Sequence, residues 1–244
     1  MFAGHAIGAS ARFHRLDDVQ NLNHVVPTLG SSVLSSSGGR CESRRPDPFR
    51  FEVTAPRQRC LMSVESVDTM AEGSDVDGVV ATEVMAEVVG LEVVEKLRCD
   101  LVRMHMLVTR TNGGEPVVTT QGNRIEGLRM GDVKAVVTID EAPLLNSSDS
   151  GAFETFLSST GRPLSSTGES VRSTIVSNIE LIGSDPDITV EGNTIVWHGF
   201  GRIILGEIDV KGHDRRLSLV RLEMGSDAGG SGGAGEGHTN GTEG

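Results

Sequence analysis

Tyrosine is absent from this chain, tryptophan occurs once, and aromatic residues make up only 3% of it. Stacking platforms for bases or sugars are therefore scarce. Positive charge is also in deficit: the net charge is −12 at pH 7. Nucleic-acid surfaces are built from clustered Lys and Arg, so a nucleic-acid partner is disfavoured. No apolar run reaches the roughly 18 residues of a membrane-spanning helix. The opening residues, FAGHAIGASARFHR, lack the cationic start and unbroken apolar stretch of an export signal, which makes the cytoplasm the expected compartment. Cysteine is limited to Cys41, Cys60 and Cys99, without metal-type spacing. An odd number cannot pair fully within one chain. The simplest reading is three small buried hydrophobes, with a Cys41–Cys60 disulfide as the alternative.

What is present is short apolar alternation broken by turn chemistry. The block TVEGNTIVWHGFGRIILGEIDVKGHDRRLSLVRLEMG, from Thr189 onward, sets β-branched and aliphatic runs between Gly-Asn, Gly-Phe-Gly and Lys-Gly-His-Asp, and predicts three strands joined by tight connections. Residues 3–14 alternate as a first strand. Phe49, Phe51 and Val53 begin another, and Leu61 to Met70 is a further candidate. Residues 79–109 fit both a helical period (Val84, Val88, Leu91) and an alternating one (Thr82, Val84, Ala86, Val88, then Cys99, Leu101, Arg103, His105). Val and Met dominate and Gly90 interrupts the helical pattern, so two or three strands are expected. Val117–Thr120 and Val133–Asp140 continue the series, the latter placing Val133, Ala135, Val137 and Ile139 on one face. Alternation resumes at Ile175, Ser177, Ile179 and Leu181.

Three stretches read differently. Residues 17–47, rich in Ser, Gly, Asn and Arg, read as a long loop. Residues 141–172 read as a Ser/Gly-rich surface insertion with one short helix around Phe153–Leu157 and a tandem Leu-Ser-Ser-Thr-Gly repeat (Leu157–Gly161, Leu164–Gly168). Two copies are too few for a solenoid. Residues 225–244 read as a disordered Gly-rich tail. The expected architecture is thus all-β, an antiparallel β-sandwich or jelly-roll-like double sheet, in one domain over residues 1–224.

Several of these segments resemble a family of uncharacterised bacterial proteins of similar length. They are GHAIGASARFHR, SSVLSSSGG near residue 35, VVGLEVVEKLRCDLVRMHM, GNRIEGLRMGD, and NTIVWHGFGRIILGEI with RRLSLVRLEMG. The resemblance covers most of the chain outside the tail and the Ser-rich insertion. It implies a β-rich single domain of bacterial origin and brings no known activity or site residues. The central block is also similar, in strand–turn rhythm, to bacterial surface-anchored proteins of the choice-of-anchor P type, which implies surface association.

No catalytic or cofactor motif stands out, and no cofactor is expected. The seven histidines show no HxH, HxxxH or HExxH spacing, so a metal site would need ligands from distant strands. His105 lies on an alternating face, and His198 follows Trp197 beside a turn. Glu83 and Glu87 share a face if their segment is β, as paired glycosidase acids do, although a solvated sheet face gives the same pattern. Gly199-Phe200-Gly201 lacks the lysine and following helix of a phosphate loop and reads as a hairpin turn. The one basic cluster is Arg215-Arg216, near Arg202 and Arg221, with strand parity setting Arg221 opposite Arg216. The binding candidates are Glu87, His105, Trp197, His198, Arg215 and Arg216. The favoured reading is a non-enzymatic structural or protein-interaction β-domain working through a sheet face or exposed edge, self-association included. The alternative is a small-molecule or carbohydrate-binding β-fold, with metal-dependent chemistry as its enzymatic form.

Overall fold

In the computed structural model, residues 1–16, 19–54, 58–111, 113–225 and 229–240 are described. Two antiparallel sheets pack face to face, and following the chain shows how they are wound. β1 (Gly4–Leu16) and β2 (Val19–Val33) open sheet A. The chain then builds most of sheet B: β3 (Gly39–Arg45), β4 (Phe49–Val53), β5 (Arg59–Val64), β6 (Ser66–Val76), β7 (Val79–Val93), β8 (Leu97–Thr111), β9 (Val117–Thr119), β10 (Arg124–Glu126), β11 (Leu128–Met130) and β12 (Val133–Ile139). Helices α1 (Ala142–Leu145) and α2 (Ser150–Thr160) follow. β13 (Ser165–Thr167) and β14 (Ser170–Thr174) return to sheet A, and β15 (Val176–Ile182) joins sheet B beside β12. Sheet A is completed by β16 (Ile188–Glu191), β17 (Thr194–Trp197), β18 (Gly201–Lys211), β19 (Asp214–Met224) and β20 (Gly230–Asn240). No helix among the described residues is long and apolar enough to cross a membrane.

The expected double sheet is present, and residues 79–109 are strands. β7 and β8 pair along their length, and Val84, Ala86, Val88, Val102, Met104 and Met106 all point into the core. With so few aromatics, the core is made chiefly of Val, Leu, Ile and Met, with Phe13 and Phe153 as its fully buried rings. The run from β14 to β15 changes sheets at Ile175, whose amide donates to the Gly206 carbonyl of sheet A while its carbonyl accepts from Asp140 at the end of β12. Strands that switch sheets at a bend form the corners of such sandwiches.

Sheet A is creased. Gly30, Gly8, Gly235, Leu219 and Gly206 fall in one line across β2, β1, β20, β19 and β18, by the register of the pairs on either side. Along this line the backbone rests directly on sheet B. A Cβ at Gly8 would lie 2.1 Å from Val67 Cγ1, and one at Gly235 2.7 Å from Val102 Cγ1. Burial changes parity across the line: Leu217 and Leu219 face inward on one side, Leu222 and Met224 on the other. A bend of this kind recesses the outer face of the sheet into a trough.

Three expectations are corrected. Over their described part, residues 17–47 are not a long loop: they hold β2 and β3, edge strands whose exposed positions need no apolar residues. The segment 225–244 is not a loose tail over its described part, because Gly230–Asn240 forms β20, paired with β1 on one side and β19 on the other. Glycine is demanded there by close packing: a Cβ at Gly237 would sit 2.4 Å from Met104 Cε. Residues 141–172 do contain the helix around Phe153–Leu157, but as part of the fold. Asp149 caps α2 by accepting from the Ala152 amide at 2.8 Å, Gly161 ends it with φ of 65°, and Leu144, Phe153 and Leu157 join the core. The two Leu-Ser-Ser-Thr-Gly copies adopt different structures, the end of α2 and β13. The cysteines are free. Cys60 and Cys99 are buried, whereas Cys41, on edge strand β3, is half-exposed.

Candidate functional site

The trough is lined by side chains that five neighbouring strands bring together. Arg172 comes from β14, Glu207 and Asp209 from β18, Arg216, Ser218 and Arg221 from β19, Glu236 and His238 from β20, and His5 from β1. The arginines are held by carboxylates. Arg172 donates to Asp209 at 2.9 Å, Arg216 to Glu236 at 2.9 Å, and Arg221 to Glu207 at 3.0 Å and to Glu223 at 2.6 Å. Such half-exposed pairs contribute little stability, on the order of 0–1 kcal/mol each. Their effect is to fix the donors and acceptors in place.

Two polar atoms on the trough floor are exceptions to this pairing. Ser218 is 4% exposed and its hydroxyl has no hydrogen-bond partner, and Arg221 Nε is buried without one. Both residues line a recess of about 210 Å³ together with Arg172, Glu207, Asp209 and Arg216. A second recess, of about 310 Å³, continues past Arg216 and Glu236 to His5 and His238. Buried polar groups are nearly always satisfied, so an unpaired hydroxyl beside an unpaired guanidinium N–H marks a place where an acceptor would be welcome.

His238 stands directly across from His5 on β1 and from Arg216 on β19. Burial pushes its pKa below the usual imidazole value. Asp214 opposes this shift, while His5 and Arg216 reinforce it. Glu236, beside it on the same recess, is held by Arg216. A depressed histidine makes its stability contribution in full above the unfolded value of about 6.5, and loses it as pH falls below that. Melting temperature is therefore expected to drop as pH falls below about 6.5, with a shallower slope in His238→Gln. Parallel slopes for the two proteins would refute the assignment.

The residues singled out from sequence are dispersed. Arg216 alone of the six lines the trough. Arg215, its neighbour, faces inward and is fully buried: its guanidinium donates to the carbonyls of Ser147, Ser148 and His213 and so ties the α1–α2 linker to β19. Trp197 stacks on Phe200 with ring centroids 5.1 Å apart, inside the β17–β18 turn, and the His198 amide donates to the Asp187 carbonyl at 2.7 Å. Glu87 lies 3.7 Å from Arg103 on the outer face of sheet B.

His105, on that same face, is 1% exposed beneath the residues that join β9 to β10. Its Nδ1 accepts from the Gln121 amide at 2.8 Å, so Nε2 carries the proton and donates to Glu83 Oε1 at 2.7 Å. The network extends through Asn123, whose side-chain oxygen accepts from the His105 amide. Asn123 also donates to Glu141 from its backbone and side-chain amides at 2.7 and 2.9 Å. Both imidazole nitrogens are used in hydrogen bonds, which leaves neither free to bind a metal. Among the described residues, no three His, Cys, Asp or Glu side chains gather as a metal site requires.

Sequence reasoning missed Ser218, Glu236, His238 and His5, and it put Arg221 on the wrong face. Arg216 and Arg221 line one recess because the crease at Leu219 and Val220 shifts the strand's parity between them. An alternation that skips a beat, Arg216 and Ser218 followed by Arg221 and Glu223, was the available signal.

Comparison with known proteins places the chain within a class that has no assigned role. It belongs to the family described as Domain of unknown function (DUF8256), whose model matches residues 1–150. The match covers β1 to β12 and α1, so it takes in nearly all of sheet B and the first hairpin of sheet A. Arg172, Ser218, Arg221 and Glu236 lie outside it. No curated protein and no solved structure matches the chain.

Proposed function

We propose that this protein is a non-enzymatic binding domain that takes a polar segment of another protein along the trough of sheet A. The carrying observation is the unpaired, buried Ser218 hydroxyl beside the unpaired Arg221 Nε. A main-chain carbonyl or a side-chain oxygen that displaced the side chains now covering these two atoms would accept from them. From β14 to β1 the trough crosses four strand spacings, roughly 19 Å at about 4.8 Å each, the length of about six residues of extended peptide. Its flanking charges of both signs suit a segment of mixed charge and would select register. The engagement of both His105 ring nitrogens weighs against the catalytic alternative.

The test is native mass spectrometry of gently purified protein, comparing the natural chain with Ser218→Ala. Removing an unsatisfied hydroxyl is expected to leave the free protein as stable or slightly more so. Partner affinity is expected to fall roughly tenfold, the worth of one buried hydrogen bond of about 1.4 kcal/mol. A partner retained equally by both proteins, or a bare monomer from the natural chain, would defeat this reading.

A further inference from the structure

We propose that β20 is an exchangeable strand, and that two copies of this chain join when one lends its β20 to the slot between β1 and β19 of the other. This inference does not rest on the trough reading.

β20 is unusual in how little side chain it supplies. Of its eleven residues, Gly230, Gly232, Gly233, Gly235 and Gly237 are glycine, and Ala234 is its only buried apolar side chain. Its attachment is almost wholly main-chain hydrogen bonding, running from Gly4↔Thr239 to Phe13↔Gly230 on one side and from Asp214↔Asn240 to Met224↔Gly230 on the other. Glycine also gives up the most freedom when it is ordered into a strand. The strand thus brings few apolar side chains of its own to the core, and what holds it, main-chain pairing on both edges and close backbone packing, is reproduced in full by the same strand from another copy.

The slot has the opposite character. Without β20 it would present two unpaired strand edges, and Val84, Val102 and Met104 of sheet B would lose the backbone that covers them. It needs a strand, and it is selective about which. A Cβ at position 235 or 237 would lie 2.7 Å from Val102 Cγ1 or 2.4 Å from Met104 Cε, and Gly235 has a φ of +66°. A strand with side chains at those points does not fit. The strand that does is the one this chain carries, so the partner is a second copy. A short tether favours each chain's own β20 through a high effective concentration. Exchange consequently grows with protein concentration and with partial opening, the usual route to swapped assemblies.

The test uses Arg12 and Ser231, which are exposed and directly opposed on β1 and β20. In a Cys41→Ser background of the full chain, Arg12→Cys and Ser231→Cys are made separately, mixed at high concentration, warmed and oxidised. The expected result is a covalent heterodimer with a 12–231 bridge by peptide mapping. It should increase with concentration and disappear when β20 has first been locked by an internal bridge in the double variant. The proposal is overturned if the mixture yields only unlinked chains or bridges at other positions, or if the double variant fails to close its internal bridge.

Discussion

Replacing Arg215 with methionine is expected to lower unfolding free energy by about 3 kcal/mol, read as a fall in the guanidinium midpoint at unchanged slope. Burial pushes the pKa of this guanidinium down to about 10, against the favourable pull of Asp149 and Asp214. It therefore stays charged at neutral pH, and its desolvation is a standing cost. The carbonyls of Ser147, Ser148 and His213 offset that cost. Methionine fills the volume but leaves the Ser147 and His213 oxygens without the donor they have here, and the Ser148 oxygen with only the His213 ring at 3.3 Å. Lysine is expected to recover only part of the loss, since a point charge cannot span acceptors that the planar guanidinium reaches together. A Met variant within about 0.5 kcal/mol of the natural protein would show that the α1–α2 linker is held by something other than this clamp. Amide exchange should quicken first at Ser147 to Asp149, where the linker would come away from β19.

Gly8→Ala is expected to cost about as much, roughly 3 kcal/mol, although it adds a single methyl group. The added carbon would stand 2.1 Å from Val67 Cγ1 and 2.5 Å from the Leu29 carbonyl oxygen. The first obstacle is a stiff β-branched side chain and the second is backbone, so neither can step aside cheaply. A double-mutant cycle separates them. Val67→Ala in the Gly8→Ala protein should return part of the loss, giving a coupling of about 1 kcal/mol. Strict additivity would mean that the crease does not press sheet A onto Val67.

How much of this was legible in the sequence follows from what each residue buries. Where strands face the core on one side, apolar residues alternate and the pattern can be read. Val84, Ala86 and Val88 on β7 placed that segment correctly despite its helical ambiguity. Where strands lie at an edge, as β2 and β3 do, polar residues suffice on the exposed positions and a loop is the natural misreading. β20 defeats composition altogether. Glycine there is selected by the nearness of Val102 and Met104, a reason invisible without the opposite sheet. The trough was hidden for a related cause, because parity arguments assume a regular strand. One crease at Leu219 puts Arg216 and Arg221 on the same face and buries Ser218 between them.

The pairing of β1 with β20 also sets the order of events in folding. Phe13 bonds across to Gly230, so an early strand takes one of its two neighbours from residues nearly the whole chain length away. Closing so long a loop must come before the contacts that reward it, and topologies of this kind fold slowly. On the ribosome, sheet B can assemble from residues already emerged, while the β1–β2 hairpin has no inner strand to lie against. Until β20 arrives, the nascent protein carries an open seam along β1, which is the interval in which a chaperone would find it.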